Sequence, residues 1–143
     1  NNINESLNVP ITEDEILKCV KKLKNNKACS DDKIINEYIK SSLGQYMELY
    51  VKLFNLIFES GTIPESWVIG TIKPFYKNKG DKFNPKNYRP ITIVSCFGKL
   101  FTSILNARLI KFSEEKLLIK ENQFGFREGY STTDCMFVLH SFF

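Results

Sequence analysis

Lys73-Pro-Phe-Tyr-Lys-Asn-Lys-Gly-Asp-Lys-Phe-Asn-Pro-Lys-Asn-Tyr-Arg-Pro-Ile-Thr-Ile-Val94 is the most informative stretch of this chain. Short apolar segments with strand character flank it: Val68, Ile69, Thr71 and Ile72 before it, and Ile91, Thr92, Ile93 and Val94 at its end. β-Branched runs bounded by Gly, Asn and Pro read as strands. Gly80-Asp81 and Asn84-Pro85 read as turn points. The intervening loop carries Lys77, Lys79, Lys82, Lys86 and Arg89, opposed only by Asp81. Two strands with a basic loop at their tip put cations on a mobile, solvent-facing projection, which suits a polyphosphate or a nucleic-acid backbone. A Lys-rich loop is also what a plain solvated hairpin tip looks like.

Composition sets the outer bounds. The chain has 143 residues, 43% of them hydrophobic and 13% aromatic, enough to bury the core of one domain or of a piece of a larger one. A formal net charge of +4 leans toward anionic partners. Cys19, Cys29, Cys96 and Cys135 are scattered, and His140 is the only histidine. That spacing argues against a zinc site and against a secreted disulfide scaffold. An intracellular setting, cytoplasmic, nuclear or both, is therefore expected, with idle thiols. No stretch is long and apolar enough for a membrane span. Asn1 to Asn8 lacks an initiator Met and a secretory pattern, so a cut segment is expected.

Outward from the basic loop, the pattern is helical. Residues 1–10 read as a linker. Thr12-Glu13-Asp14-Glu15 has the form of a capping box and opens a helix carrying Ile16, Val20 and Leu23, which should stop near Asn25-Asn26. Lys27 to Lys33 is a polar loop whose Asp31-Asp32 pair reads as an acid cap near a helix start, not as a metal site. A short helix is expected over Ile34 to Ser41. A longer one should cover Gln45 to Glu59, with Leu49, Leu53, Leu56 and Ile57 on one face. Met47, Tyr50, Phe54 and Phe58 widen its apolar area, so burial on more than one side is expected. Gly61 is placed as the residue just past the helix end, and Pro64 bars continuation. After the strands, a helix from Ser95 to about Phe112 carries Phe97, Leu100, Phe101, Ile104, Leu105 and Leu109, with a possible further turn over Ser113 to Leu118. Gln123 to Gly129 is a glycine-punctuated loop, and Ser131-Thr132-Thr133-Asp134 caps a last helix.

Taken in order, these segments resemble the beginning of the reverse transcriptase domain of non-LTR (LINE-type) retrotransposons. Val9-Pro10-Ile11-Thr12 with Glu15-Ile16 looks like the opening helix of that domain. Leu23-Lys24, Lys27-Ala28, Asp32, Ile34, Asn36-Glu37 and Ile39-Lys40 look like the next block, followed by Leu53-Phe54-Asn55, Gly61, Ile63-Pro64 and Trp67. Ile72-Lys73-Pro74, Lys77 to Asp81 and Asn87-Tyr88-Arg89-Pro90-Ile91-Thr92 look like the first fingers motif. Lys99, Ile104-Leu105-Asn106 and Arg108-Leu109 come next, and Gln123-x-Gly125-Phe126-Arg127-x-Gly129 closes the series. Ser30, Asp31 and Lys33 stand where the family usually has glycine and proline.

The resemblance implies an α+β chain, mostly helical with a small antiparallel strand–loop–strand fingers unit, forming an incomplete right-hand polymerase fold. Its parts would be residues 11–66 as the N-terminal helical portion, 67–94 as the fingers strands and loop, and 95–143 as the fingers and early-palm helices. It implies that Lys77, Lys79 and Arg89 bind the phosphates of the incoming dNTP. Gln123, Gly125, Phe126 and Arg127 would lie close to template and nucleotide. Phe126 could equally be a core phenylalanine. The family's Mg2+ ions sit on palm aspartates that would follow Phe143, so the ion is expected in the full-length enzyme only, and this portion should not polymerise alone. The implied partners are an RNA template, a DNA primer, dNTP and the remaining palm and thumb. Two alternatives stay open: a non-catalytic RNA-binding remnant or domesticated module of such an element, and a basic helical domain with no nucleic-acid role.

Overall fold

The computed structural model describes residues 7–142, so residues 1–6 of the expected linker and the terminal Phe143 lie outside the described residues. The described residues are α+β, mostly helical with one two-stranded antiparallel sheet. It divides into two compact units, Asn1–Ala107 and Arg108–Phe143.

The first unit begins with α1 (Glu13–Lys22), and its start is the capping box expected from sequence. The Thr12 hydroxyl accepts from the Glu15 N–H, while the Glu15 carboxylate accepts from the Thr12 N–H at 2.9 Å. Acids in its first turn and Lys21 and Lys22 in its last complement the helix dipole. The helix ends before the expected Asn25-Asn26, because Leu23 turns to extended geometry and donates to the Val20 carbonyl. Just upstream, Ile11 is 2% exposed and is held by one side chain of the next helix. Asn55 accepts from the Ile11 N–H at 2.6 Å and donates to the Ile11 carbonyl at 2.9 Å.

The two helices expected over 34–41 and 45–59 are one, α2 (Asn36–Ser60). No loop parts them; a single non-helical residue, Tyr46 (φ −117°, ψ 21°), kinks the rod. The buried face also differs from the expected one. Ile39, Leu43, Tyr50, Phe54 and Ile57 are buried, whereas Leu49 and Leu56 are more than half exposed. Aromatic rings carry the larger apolar area, so they decide which face turns inward and leave the two leucines on the flank. Gly61 closes α2 in the left-handed region (φ 65°), its N–H bonded to the Ile57 carbonyl, as expected of a residue at that position.

Val68 and Ile69 do not start a strand. Glu65–Val68 forms a short helix, α3, after Pro64, and Ile69 is its C-cap. The strands lie nearer the tip than expected: β1 is Thr71–Tyr76 and β2 is Tyr88–Ile93, paired in register from Thr71↔Ile93 to Tyr76↔Tyr88. Pro74 faces Pro90 across this ladder. The Lys77 N–H donates to the Asn87 carbonyl, which fixes the alternation and makes the proline pair a non-hydrogen-bonded one. Neither ring therefore removes a bond between the strands.

α4 (Cys96–Glu115) absorbs the expected helix and part of the turn after it, and crosses from one unit into the other. Its Cys96, Leu100, Phe101 and Ile104 complete the core with α1 and α2. Trp67 packs on this core, its ring stacked on Phe97 (centroids 6.0 Å apart) and edge-on to Phe54 (6.1 Å). Gly98 lets α4 approach Trp67, since a Cβ there would sit 3.1 Å from the Trp67 Cβ and 3.2 Å from its carbonyl oxygen. In the second unit, α5 (Thr132–Ser141) opens on a reciprocal Ser131–Asp134 capping box, as read from sequence. Its Met136, Phe137, Leu139 and Phe142 are exposed.

Candidate nucleic-acid interface

The hairpin tip is built from local side-chain-to-backbone bonds, so its shape follows from its own sequence. Asp81 accepts from the Phe83 N–H at 2.9 Å, and Asn84 accepts from the Lys86 N–H at 3.0 Å, two Asx turns in succession. Asn84 thereby caps a single 3-10 turn over Pro85–Asn87. Asn87 donates from its amide to the Asp81 carbonyl at 2.7 Å. From the strand ends, Tyr76 donates to the Gly80 carbonyl and Tyr88 to the Lys82 carbonyl. A tip held by this many bonds is a braced loop.

The expected phosphate-binding cations are distributed as follows. Arg89 is not on the loop: it lies in β2 opposite Phe75. Strand alternation puts it on one face with Lys73, Phe75 and Ile91. Ile72, Pro74, Tyr76, Tyr88, Pro90 and Thr92 occupy the other. Arg89 and Lys79 are exposed, and among the described residues neither side chain has a hydrogen bond or ion pair. Lys77 is tied down, its ammonium donating to the Lys86 carbonyl at 2.7 Å. Lys82 lies 5.8 Å from the centroid of the Tyr76 ring. Asp81, the one acid of the loop, is used by the turn itself.

The second set of expected residues falls in the other unit. Gln123 is exposed, and its N–H donates to the Lys120 carbonyl. Gly125 is open on all sides. Phe126 is fully exposed and not a core residue, with a left-handed φ of 62°. Arg127 is the opposite case: its side chain is only 5% exposed and its donors are engaged. It forks onto Glu114 with bonds of 3.1 and 2.9 Å, reaches the Lys120 carbonyl at 3.2 Å, and pairs with Glu121 at 3.6 Å. Its guanidinium also lies 4.3 Å from the centroid of the Tyr130 ring, whose hydroxyl donates to Glu121. The bond to Glu114 pushes the Arg127 pKa up; the Tyr130 hydroxyl, then Arg127, hold Glu121 below the usual carboxylate range.

Neither the Asn55 clamp nor the Glu114, Glu121 and Tyr130 partners of Arg127 were picked out from sequence. The first spans 44 positions, and no local pattern marks it. The acid pair Asp31-Asp32 does not cap α2, whose N-cap residue Ile35 has no side-chain cap bond; Asp32 instead turns the preceding loop by accepting from the Ile34 N–H, and Asp31 accepts from the Thr71 hydroxyl at the root of β1. All four cysteines are free thiols. Among the described residues no three His, Cys, Asp or Glu side chains gather to hold a metal ion. No described helix is long and apolar enough to cross a membrane.

Comparison with known proteins agrees with the order of these motifs. The chain is 31% identical over 121 residues, 84% of its length, to the "Probable RNA-directed DNA polymerase from transposon X-element" of Drosophila melanogaster. It is 28% identical over 125 residues to the "Probable RNA-directed DNA polymerase from transposon BS" of the same species. To the "RNA-directed DNA polymerase from mobile element jockey" of Drosophila funebris it is also 28% identical, over 87% of the chain. These matches cover 13–14% of the relatives, so the chain spans about one seventh of their length. No family model matches it.

Proposed function

This chain is kin, over most of its length, to the reverse transcriptases of non-LTR retrotransposons, and on that premise we propose that it supplies the fingers and early palm of an RNA-directed DNA polymerase. Residues 11–66 form the helical body, 67–94 the fingers, and 95–143 the helices leading into the palm. Lys77, Lys79 and Arg89 hold the triphosphate of the incoming dNTP. Gln123, Gly125 and Phe126 lie beside template and nucleotide, on a loop that Arg127 braces.

The observation that carries this reading is the state of Arg89. It stands exposed on a braced hairpin with no internal carboxylate to neutralise it, so its planar fork of N–H donors is left for phosphate oxygens. Lys79 adds an unpaired charge at the tip, and Lys77 contributes charge from a fixed ammonium. Arg127 is already saturated by Glu114 and so acts through the loop, not as a second phosphate grip. The metal-dependent phosphoryl transfer belongs to palm residues beyond this chain, and alone it is inactive. RNA template and DNA primer are the nucleic-acid partners.

The test is kinetic. In an active polymerase containing this chain, Arg89→Ala raises the KM for dNTP or lowers kcat/KM while RNA affinity stays nearly unchanged. Arg89→Lys restores only part, because the fork is lost. An equal loss of RNA affinity with no kinetic effect refutes the assignment.

A further inference from the structure

The hairpin face turned away from Arg89 has no part in the phosphate-gripping role, and its make-up is unusual for a surface. Pro74, Pro85, Pro90, Tyr88, Lys82 and Phe83 line a shallow groove of about 610 Å³. Phe83 is 94% exposed. Tyr76 and Tyr88 lie side by side at the groove's root, with ring centroids 5.5 Å apart.

An apolar ring left almost wholly in water normally belongs to a floppy segment. Here the backbone that carries it is fixed on both sides. The Phe83 N–H is bound by Asp81, the carbonyl before it by the Tyr88 hydroxyl, and the next residue, Asn84, caps the 3-10 turn. The ring is thus presented on a rigid pedestal, and the ordering cost of a contact there is already met. The charge around it selects the occupant. Lys82 lines the groove beside the ring, Lys86 follows Pro85 on the same loop, and the one acid of the loop, Asp81, is bound up in the turn. A flat apolar ring on a cationic loop matches a ligand with planar faces on a polyanionic chain.

We propose that this proline-and-aromatic face stacks the bases of an unpaired nucleic-acid strand, with Phe83 as the stacking ring and Lys82 and Lys86 following the strand's phosphates. The inference rests on the nucleic-acid reading above and adds a second surface, distinct from the face that carries Arg89. A paired duplex hides its base faces, so this surface discriminates single strands from duplexes.

The test measures affinity of the chain for a short single-stranded oligoribonucleotide carrying 2-aminopurine, and for the same sequence as a duplex, across a salt series. The wild-type chain binds the single strand and quenches its fluorescence. Phe83→Ala weakens single-strand binding by roughly fivefold to 150-fold, the range for one stacked base, with the salt slope unchanged. Phe83→Trp keeps both affinity and quenching, whereas Phe83→Leu keeps apolar bulk but loses the quenching. The ring touches so little of the fold that circular dichroism and melting of these variants match the wild type. Wild-type affinity in Phe83→Ala with salt-dependent binding intact overturns the stacking site and leaves the polymerase reading standing. Loss of self-association in Phe83→Ala, with nucleic-acid affinity retained, assigns the groove to a second copy and likewise overturns it. Failure of the wild-type chain to bind any nucleic acid at low salt overturns this inference and the reading beneath it together.

Discussion

Removing one amide should loosen the start of the fold. Asn55 makes two hydrogen bonds, 2.6 and 2.9 Å long, to the backbone of a residue 44 positions earlier, and so holds Ile11 where its side chain is 2% exposed. Each such bond contributes about 0.5–1.5 kcal/mol net, and a backbone group left without a partner away from water costs about 1–3 kcal/mol. The Ile11 site is only partly screened, so the Asn55→Ala loss is expected at about 2–4 kcal/mol. That is a large share of the roughly 5–15 kcal/mol that stabilises an ordinary domain. Urea unfolding followed by Trp67 fluorescence measures it, with an unchanged slope as the sign that only stability moved. Ile11→Ala should cost about 2–5 kcal/mol by itself. Because Asn55 acts by seating Ile11, the double variant should lose less than the two single losses combined, by about 0.5–3 kcal/mol. Lys52→Ala, exposed on the same helix, is the control and stays within about 0.5 kcal/mol. A loss below about 0.5 kcal/mol for Asn55→Ala, or strict additivity with Ile11→Ala, would refute the clamp.

Two glycine substitutions should have opposite signs. Gly98→Ala destabilises, because its new Cβ meets the Trp67 backbone at 3.2 Å, whereas Gly44→Ala meets nothing and stabilises by about 0.4–1 kcal/mol in thermal melts. Acid should weaken the second unit. Glu121 and Asp134 have folded pKa values below their ordinary 4.5 and 3.8, held down chiefly by the Tyr130 hydroxyl and by Ser131 respectively. Their stabilisation is complete above those ordinary values and is lost as pH falls through the lower folded ones. Tyr130→Phe should therefore flatten the acid limb of a circular-dichroism titration. Thiol labelling at pH 8 should separate the cysteines into two fast and two slow: burial raises the pKa of Cys19 and Cys96, while Cys29 and Cys135 are part-exposed. Equal rates at all four would refute it.

What could be read from sequence was whatever is decided within a few residues. Both capping boxes, at Thr12 and Ser131, and the left-handed helix end at Gly61 depend on spacings of three or four and appear as expected. The errors share another cause. Periodicity over 45–59 offered leucines and aromatics on adjoining arcs, and only the partner helix decides that Phe54 goes in and Leu56 stays out. The prolines at 74 and 90 made the inner strand residues look like loop, since their compatibility depends on facing each other across a chain reversal. Arg127 was placed beside template and nucleotide from its local motif alone, which carries no sign of its bond to Glu114, 13 residues upstream. On the Arg89 hairpin the reading needed only adjacent residues, and the exposed cations are where the sequence puts them, although Arg89 sits in the strand and not on the loop.

The facing prolines also govern what the hairpin can become. In an antiparallel pair, the donors of a non-hydrogen-bonded couple point outward, toward whatever strand would dock alongside. At Pro74 and Pro90 those donors do not exist, so each rim of the blade is blank at its middle rung. A third strand arriving from another molecule would find the zip interrupted on either side. A thin sheet with both faces in water and apolar rings on display would otherwise seed fibres. These two rings keep it a solitary ribbon.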